Sequence, residues 1–190
     1  MPRRTPERLT LFSDGIFAVL ITVLVLELHP PEHPTFAAFL SQWHSWLSYA
    51  VSYLFIAIVW TNHHHLLRYA TDATPRLVWI NFAHLFSVSL LPLSTAWMAV
   101  SKLAPQPVAF YAAVFFLINA TYMLLTRELI HPAHEDVSRT VSRSMRLRAL
   151  TTLACFGVAT GVALWYPQIG LAICCCCLFV YLKPEAPAAE

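Results

Sequence analysis

Apolar residues fall into six long runs, at positions 9–29, 46–67, 77–100, 107–126, 148–166 and 168–182, with Arg, His, Pro and Asp gathered between them. A helix that crosses a bilayer needs about 20 mostly apolar residues. The first five runs meet that need and the sixth is the shortest. In lipid each backbone amide must find its partner within its own segment, so such runs fold as helices. The alternating period of a membrane-barrel strand is absent. The pattern predicts an all-α polytopic membrane protein of about six transmembrane helices, occupying residues 1–183. A Pro- and Ala-rich tail at residues 184–190 is expected to be disordered.

The cations orient these helices. Lys and Arg are retained mainly on the cytoplasmic side of a membrane. Arg3, Arg4 and Arg8 precede the first run, and Arg68 and Arg76 flank the turn between the second and third. Arg127, Arg139, Arg143, Arg146 and Arg148 surround the loop between the fourth and fifth, and Lys183 follows the sixth. The alternate loops hold only Lys102, so all other members of the 12 Lys and Arg share one side if there are six spans with both termini cytoplasmic. Five or seven spans would scatter them. The expected location is the inner membrane, multi-pass. Arg3 and Arg4 ahead of an apolar stretch also fit a cleavable signal. Asp14 and Glu27 within the run, its length, and the lack of a small-residue cleavage pattern before His29 favour a retained first helix.

Composition narrows the function classes. The chain is 58% hydrophobic and 12% charged, too apolar for a soluble domain of this size. Its formal charge of +2 follows from the topology and calls for no nucleic acid. No stretch is left for a soluble catalytic domain, so no enzyme is expected. Trp43 and Trp46, beside an external segment, belong at headgroup depth. Cys174 to Cys177 are consecutive, and successive helical side chains diverge by about 100°, so they do not converge on a metal. They read as small apolar residues, with reactive thiols or acylation as the rival. His63, His64 and His65 diverge in the same way. Even with His84 as a further ligand, no His-Glu-x-x-His or Cys-x-x-Cys-His pattern accompanies them, so neither metal nor cofactor is expected.

The first run carries the chemistry. Phe12, Gly15, Val19, Thr22 and Leu26 recur at spacings of three and four, which presents one seam to a neighbour or to a symmetry axis. Asp14 sits about 140° around the helix from residue 19, on a different face. A carboxylate inside a spanning helix is costly and must face protein or water. Arg8 and Asp14 are about 120° apart and pair poorly within one helix, so other helices must supply partners. Candidates are Trp60, Asn62, His63 and Asn81.

The sequence Arg8-x-x-x-Phe12-Ser13-Asp14-Gly15 resembles the signature of the transmembrane protein 175 family of potassium channels, found in bacteria and lysosomes. The continuation IFAVLITVLVLEL resembles that family's pore helix. Trp60, Asn62 and His63 resemble its Trp-x-x-His segment, and SVSLLPLSTAW its third helix. The resemblance covers about the first 100 residues. It implies a homotetramer in the bilayer of a bacterial inner membrane, conducting K+ through a pore lined by the first helix of each subunit. Val19, Thr22, Val23 and Leu26 would line the pore, with the constriction at Val19. Glu27 would stand at its mouth. Arg8, Phe12, Ser13, Asp14, Trp60, Asn62, His63 and Asn81 would hold the pore helix in place. Val19 is smaller than the isoleucine or leucine found in other members, which implies weaker selectivity.

The chain has no Thr-Val-Gly-Tyr-Gly loop, so no carbonyl cage replaces an ion's water shell. An apolar ring instead favours the ion that sheds water most cheaply, potassium over sodium, while Thr22 hydroxyls replace part of the lost shell. The rival is a proton-coupled secondary transporter in which Asp14 and the intramembrane histidines form a relay.

Overall fold

The structure is a computed structural model that describes residues 6–130 and 139–181. The expected disordered tail lies outside the described residues. Among those described there are eight helical segments and no strand: α1 (Pro6–Leu26), α2 (Phe36–Ser41), α3 (Trp43–Leu67), α4 (Pro75–Ser89), α5 (Leu91–Val100), α6 (Pro105–Ile130), α7 (Arg139–Ala163) and α8 (Pro167–Tyr181). The protein is therefore all-helical. Each of the six apolar runs coincides with a helix, except that the third is divided into α4 and α5.

That division has a local cause. Pro92 supplies no N–H to the carbonyl four residues earlier, and its ring crowds that turn, so the helix breaks at Leu90 and resumes. Proline also starts helices here. Pro75, Pro105 and Pro167 each stand at the first helical position, where no intrahelical donor is needed. Thr74 caps α4 by accepting the Leu77 amide at 3.1 Å. The link from α5 to α6 turns through Lys102 and Leu103, both in the left-handed region at φ 52° and 62°. Such a turn costs side chains about 1–2 kcal/mol per residue. The Leu103 amide caps Met98 at 3.0 Å and its side chain is buried, which offset that cost.

Three segments, Pro6–Leu26, Pro75–Val100 and Pro105–Leu129, are long and apolar enough to cross a membrane by length and composition. The helix α3 has the length, 25 residues, but its serines, Asn62 and three histidines dilute its apolarity. Ala149–Ala163 and Pro167–Leu178 are shorter apolar helices.

The helix α6 is the centre of the bundle, packed against α4, α5, α7 and α8. Phe55 of α3 stacks on Phe115 of α6 at 3.7 Å, and Phe156 of α7 meets Phe115 edge-on at 5.4 Å. At the α7–α8 crossing Gly170 lets the backbones touch, since a Cβ there would lie 2.6 Å from the Ala163 Cβ. The helix α1 lies at the edge, against α3, α4 and α5. A second apolar cluster of Leu9, Leu66, Leu67, Leu77, Leu125 and Leu129 joins the start of α1, the end of α3, the start of α4 and the end of α6. Arg8, Arg68, Arg76 and Arg127 therefore gather at that end of the bundle, and Lys102 stands at the other. Arg76 pairs there with Glu128 at 3.0 Å.

Candidate functional site

Lipid tails are as apolar as leucine, so burying apolar surface drives helix association weakly in a membrane. Close packing and interhelical hydrogen bonds do more. The helix α1 shows how both are used. Leu9, Ser13, Phe17, Leu20 and Leu24 are buried against the protomer, at steps of three and four. Leu11, Phe12, Gly15, Ala18, Val19, Thr22, Val25 and Leu26 are exposed on the opposite side. Val19 is 56% and Leu26 74% exposed, so the helix has two apolar faces of which the protomer covers one.

The covered face is fastened by polar groups. Ser13 donates to its own Leu9 carbonyl at 2.9 Å and accepts from the Asn81 amide at 3.0 Å. Asn81 turns its carbonyl oxygen to His63 Nε2 at 2.8 Å. Ser13, Asn81 and His63 are all fully buried. The Phe17 ring packs against His63 with centroids 5.3 Å apart. At the border of the open face the Trp60 indole donates to Asp14 Oδ1 at 2.9 Å. Phe12, half exposed, meets Phe82 edge-on at 5.5 Å. The signature residues Phe12, Ser13 and Asp14 thus contact α4, α4 and α3 in turn.

The remaining expected site residues fall as follows. Arg8 is exposed in the first turn of α1 and Glu27 is exposed just past its end, where the Glu27 carbonyl lies 2.9 Å from His29 Nδ1. Val23 is half-buried, about 40° around the helix from Val19 and so at the border of the open face. The Thr22 hydroxyl donates to the Val19 carbonyl at 2.7 Å. Its proton is thereby committed to the helix and its lone pairs face outward, the polarity a cation requires. Asn62 is not brought to α1. Its carbonyl accepts from Tyr122 at 3.4 Å, and its side chain lines a cavity shared with α4 and α6.

Two buried polar groupings lie beyond the expected site residues. Ser52 bonds both Thr95 at 2.7 Å and Tyr111 at 2.8 Å, tying α3, α5 and α6. His84 lies parallel to His63 with centroids 5.5 Å apart and bonds Thr121 at 3.1 Å. The signal for both was available, since each residue is polar within an apolar run. No group of three or more His, Cys, Asp or Glu suited to a metal occurs among the described residues.

A family model described as endosomal/lysosomal potassium channel TMEM175 matches residues 8–92. A protein of Chryseobacterium sp. named a potassium channel is 28% identical over 181 residues, covering 95% of this chain and 94% of that one. One so named in Chamaesiphon minutus is 32% identical over 138 residues, 68% of this chain and 66% of that one. The chicken protein named endosomal/lysosomal proton channel TMEM175 is 30% identical over 151 residues, and this chain spans 30% of its length. The crystal structure of a TMEM175 homologue from Chamaesiphon minutus, described as a lysosomal potassium-selective channel homologue, superposes with a TM-score of 0.78. That match covers 93% of this chain and 96% of the other at 23% identity. A signature helix fastened on one face and open on the other, the family match over the segment containing it, and a shared fold along nearly the whole chain converge: the protein belongs to the TMEM175 family.

Proposed function

We propose that the chain is a potassium-permeable channel, in which four copies surround a water-filled axis lined by the open face of α1. The observation that carries this reading is the uncovered side of α1, an apolar face interrupted by Gly15 and Thr22, on a helix whose other side is locked by Ser13, Asn81 and Trp60. Bacterial relatives named potassium channels support it. Six helices cross the inner membrane with both termini in the cytoplasm, and the gathering of Arg8, Arg68, Arg76 and Arg127 at one end supports that orientation.

Val19 forms the constriction, with Thr22, Val23 and Leu26 lining the path towards the other end. An apolar ring offers no oxygen, so an ion passes only as far as it sheds water, and potassium sheds it at lower cost than sodium. Thr22, its lone pairs outward, returns part of the lost coordination. The small Val19 side chain leaves a wider ring and moderate selectivity. Glu27 concentrates cations at the mouth. Arg8, Phe12, Ser13, Asp14, Trp60, His63 and Asn81 hold the pore helix.

A proton-coupled carrier would need a relay from Asp14 to the histidines. Asp14 is instead bonded to Trp60 and His63 to Asn81, which supports passive flow. The test is current and flux measurement in liposomes under potassium, sodium and proton gradients. A reversal potential near that of potassium without obligatory proton coupling is expected. Saturable, proton-coupled flux would overturn the proposal.

A further inference from the structure

The helix α6 packs against α4 and against α7, and two contacts fix where those neighbours lie on its circumference. Glu128 reaches Arg76 of α4 at 3.0 Å. Phe116 lies against Gly157 of α7, where a Cβ would stand 3.6 Å from its ring. Residues 116 and 128 are about 120° apart around the helix. Leu117, Ala120, Leu124 and Arg127 all fall within that arc, and none of them is buried. The arc is a strip of α6 that neither neighbour covers.

The strip lies lower than its sides. Both neighbours run antiparallel to α6, so the same two contacts set Trp79 of α4 and Leu147 of α7 level with Leu124, within about one helical turn. Leu124 is 48% exposed, against 74% for Trp79 and 66% for Leu147. The three helices thus form a shallow apolar furrow along α6. It is turned away from α1, because Phe82, which meets Phe12 of α1, stands about 120° around α4 from Arg76. Its basic end lies between two guanidinium groups, Arg127 on the floor and Arg76 on the α4 side. Glu128 holds Arg76 at Nε, and the arginine side chain stays 79% exposed, so most of its guanidinium is open. Two cations against one carboxylate leave this end positive, and a guanidinium matches the paired oxygens of a phosphate. Trp79, one turn from Arg76, adds the indole that suits headgroup depth.

We propose that this furrow is a binding site for an anionic phospholipid from the leaflet at the arginine end. Its phosphate lies between Arg76 and Arg127, and an acyl chain runs over Leu124, Ala120 and Leu117. The lipid joins α4 to α7 across α6. Because α4 carries Asn81, which fastens Ser13 of α1, the lipid braces the support of α1 from outside. A zwitterionic lipid with the same chains fits the furrow equally well, so the selection is for net negative charge. The site depends on the chain spanning a bilayer and not on the channel reading.

The test is native mass spectrometry of the whole protein released from nanodiscs that mix phosphatidylglycerol and phosphatidylcholine of identical acyl chains. The protein should retain phosphatidylglycerol several-fold over phosphatidylcholine. Arg76→Gln and Arg127→Gln should each lower that ratio several-fold. Arg68→Gln removes an exposed cation at the same end but outside the furrow, and should leave the ratio unchanged. Ala120→Phe fills the floor while keeping both arginines, and should also lower retention. Equal retention of the two lipids by the unaltered protein overturns the proposal, and so does an equal fall in Arg68→Gln, which would mean diffuse attraction. Retention of neither lipid overturns it as well and leaves the furrow to a second copy of the chain. Arg127 is exposed, so its variant decides the matter if Arg76→Gln, which loses the pair with Glu128, fails to fold.

Discussion

Val19 and Thr22 share the open face of α1 but have opposite chemistry. A polar replacement at Val19 adds oxygen where the ring now offers none, so Val19→Asn should lower the potassium preference several-fold and shift the biionic reversal potential towards zero. An unchanged reversal potential counts against Val19 as the constriction. On the covered face the terms are structural. Asn81→Leu leaves His63 Nε2 without its hydrogen-bond partner and removes the donor to Ser13, and should destabilise the protein by about 1–3 kcal/mol, read as a lower unfolding midpoint in detergent. The Asp14–Trp60 bond is open to a double-mutant cycle. Asp14→Ala and Trp60→Phe should each reduce the yield of the proposed tetramer or its open probability, and the double variant should be little worse than either, because both remove one interaction. Additive losses would mean that the two residues act separately.

At the scale of helices, two glycines make contrasting predictions. Gly170 sits where α8 crosses α7, and a Cβ would collide with Ala163 at 2.6 Å. Gly170→Val should cost about 1–3 kcal/mol through overpacking, seen in thermal unfolding. At Gly15 a Cβ would meet nothing within 4 Å, so Gly15→Ala should leave protomer stability equal or raise it by about 0.5–1 kcal/mol. Any change in single-channel conductance would then report the open side of α1 and not a folding defect. The kink at Leu90 belongs to this scale as well. Pro92 divides one apolar run into α4 and α5, which lets α4 meet α1 through Asn81 while α5 meets α3 through Thr95.

At the scale of the whole molecule, the expectation is an accessibility pattern around α1. In a background with Cys155 and Cys174 to Cys177 replaced, cysteines introduced at Thr22 or Leu26 should react with charged thiol reagents and block the current. Cysteines at Leu20 or Leu24, which face the protomer, should not. No reaction at Thr22 or Leu26 would place that face of α1 in lipid and remove the axis. The proposed assembly would account for the weak cover of α1, whose apolar stretch is 28% buried against 56% for that of Pro105–Leu129. A helix packed on one side only by its own protomer is available to line a space between copies.

The sequence by itself determined the helices, their approximate ends and the gathering of cations at one end. These are local properties: the length of an apolar run, the position of a proline, and the requirement that backbone amides in lipid bond within their own segment. It also made the two faces of α1 legible, because a period of 3.6 residues assigns each side chain an angle. Only the tertiary structure decided which neighbour each angle meets. Ser13 finds Asn81 across 68 positions and Asp14 finds Trp60 across 46, while Asn62, one residue from His63, turns to α6 instead. An angle on one helix carries no information about which other helix packs there. That choice is made by the kink at Pro92, the close crossing at Gly170 and the stacked aromatic rings around α6, which act together.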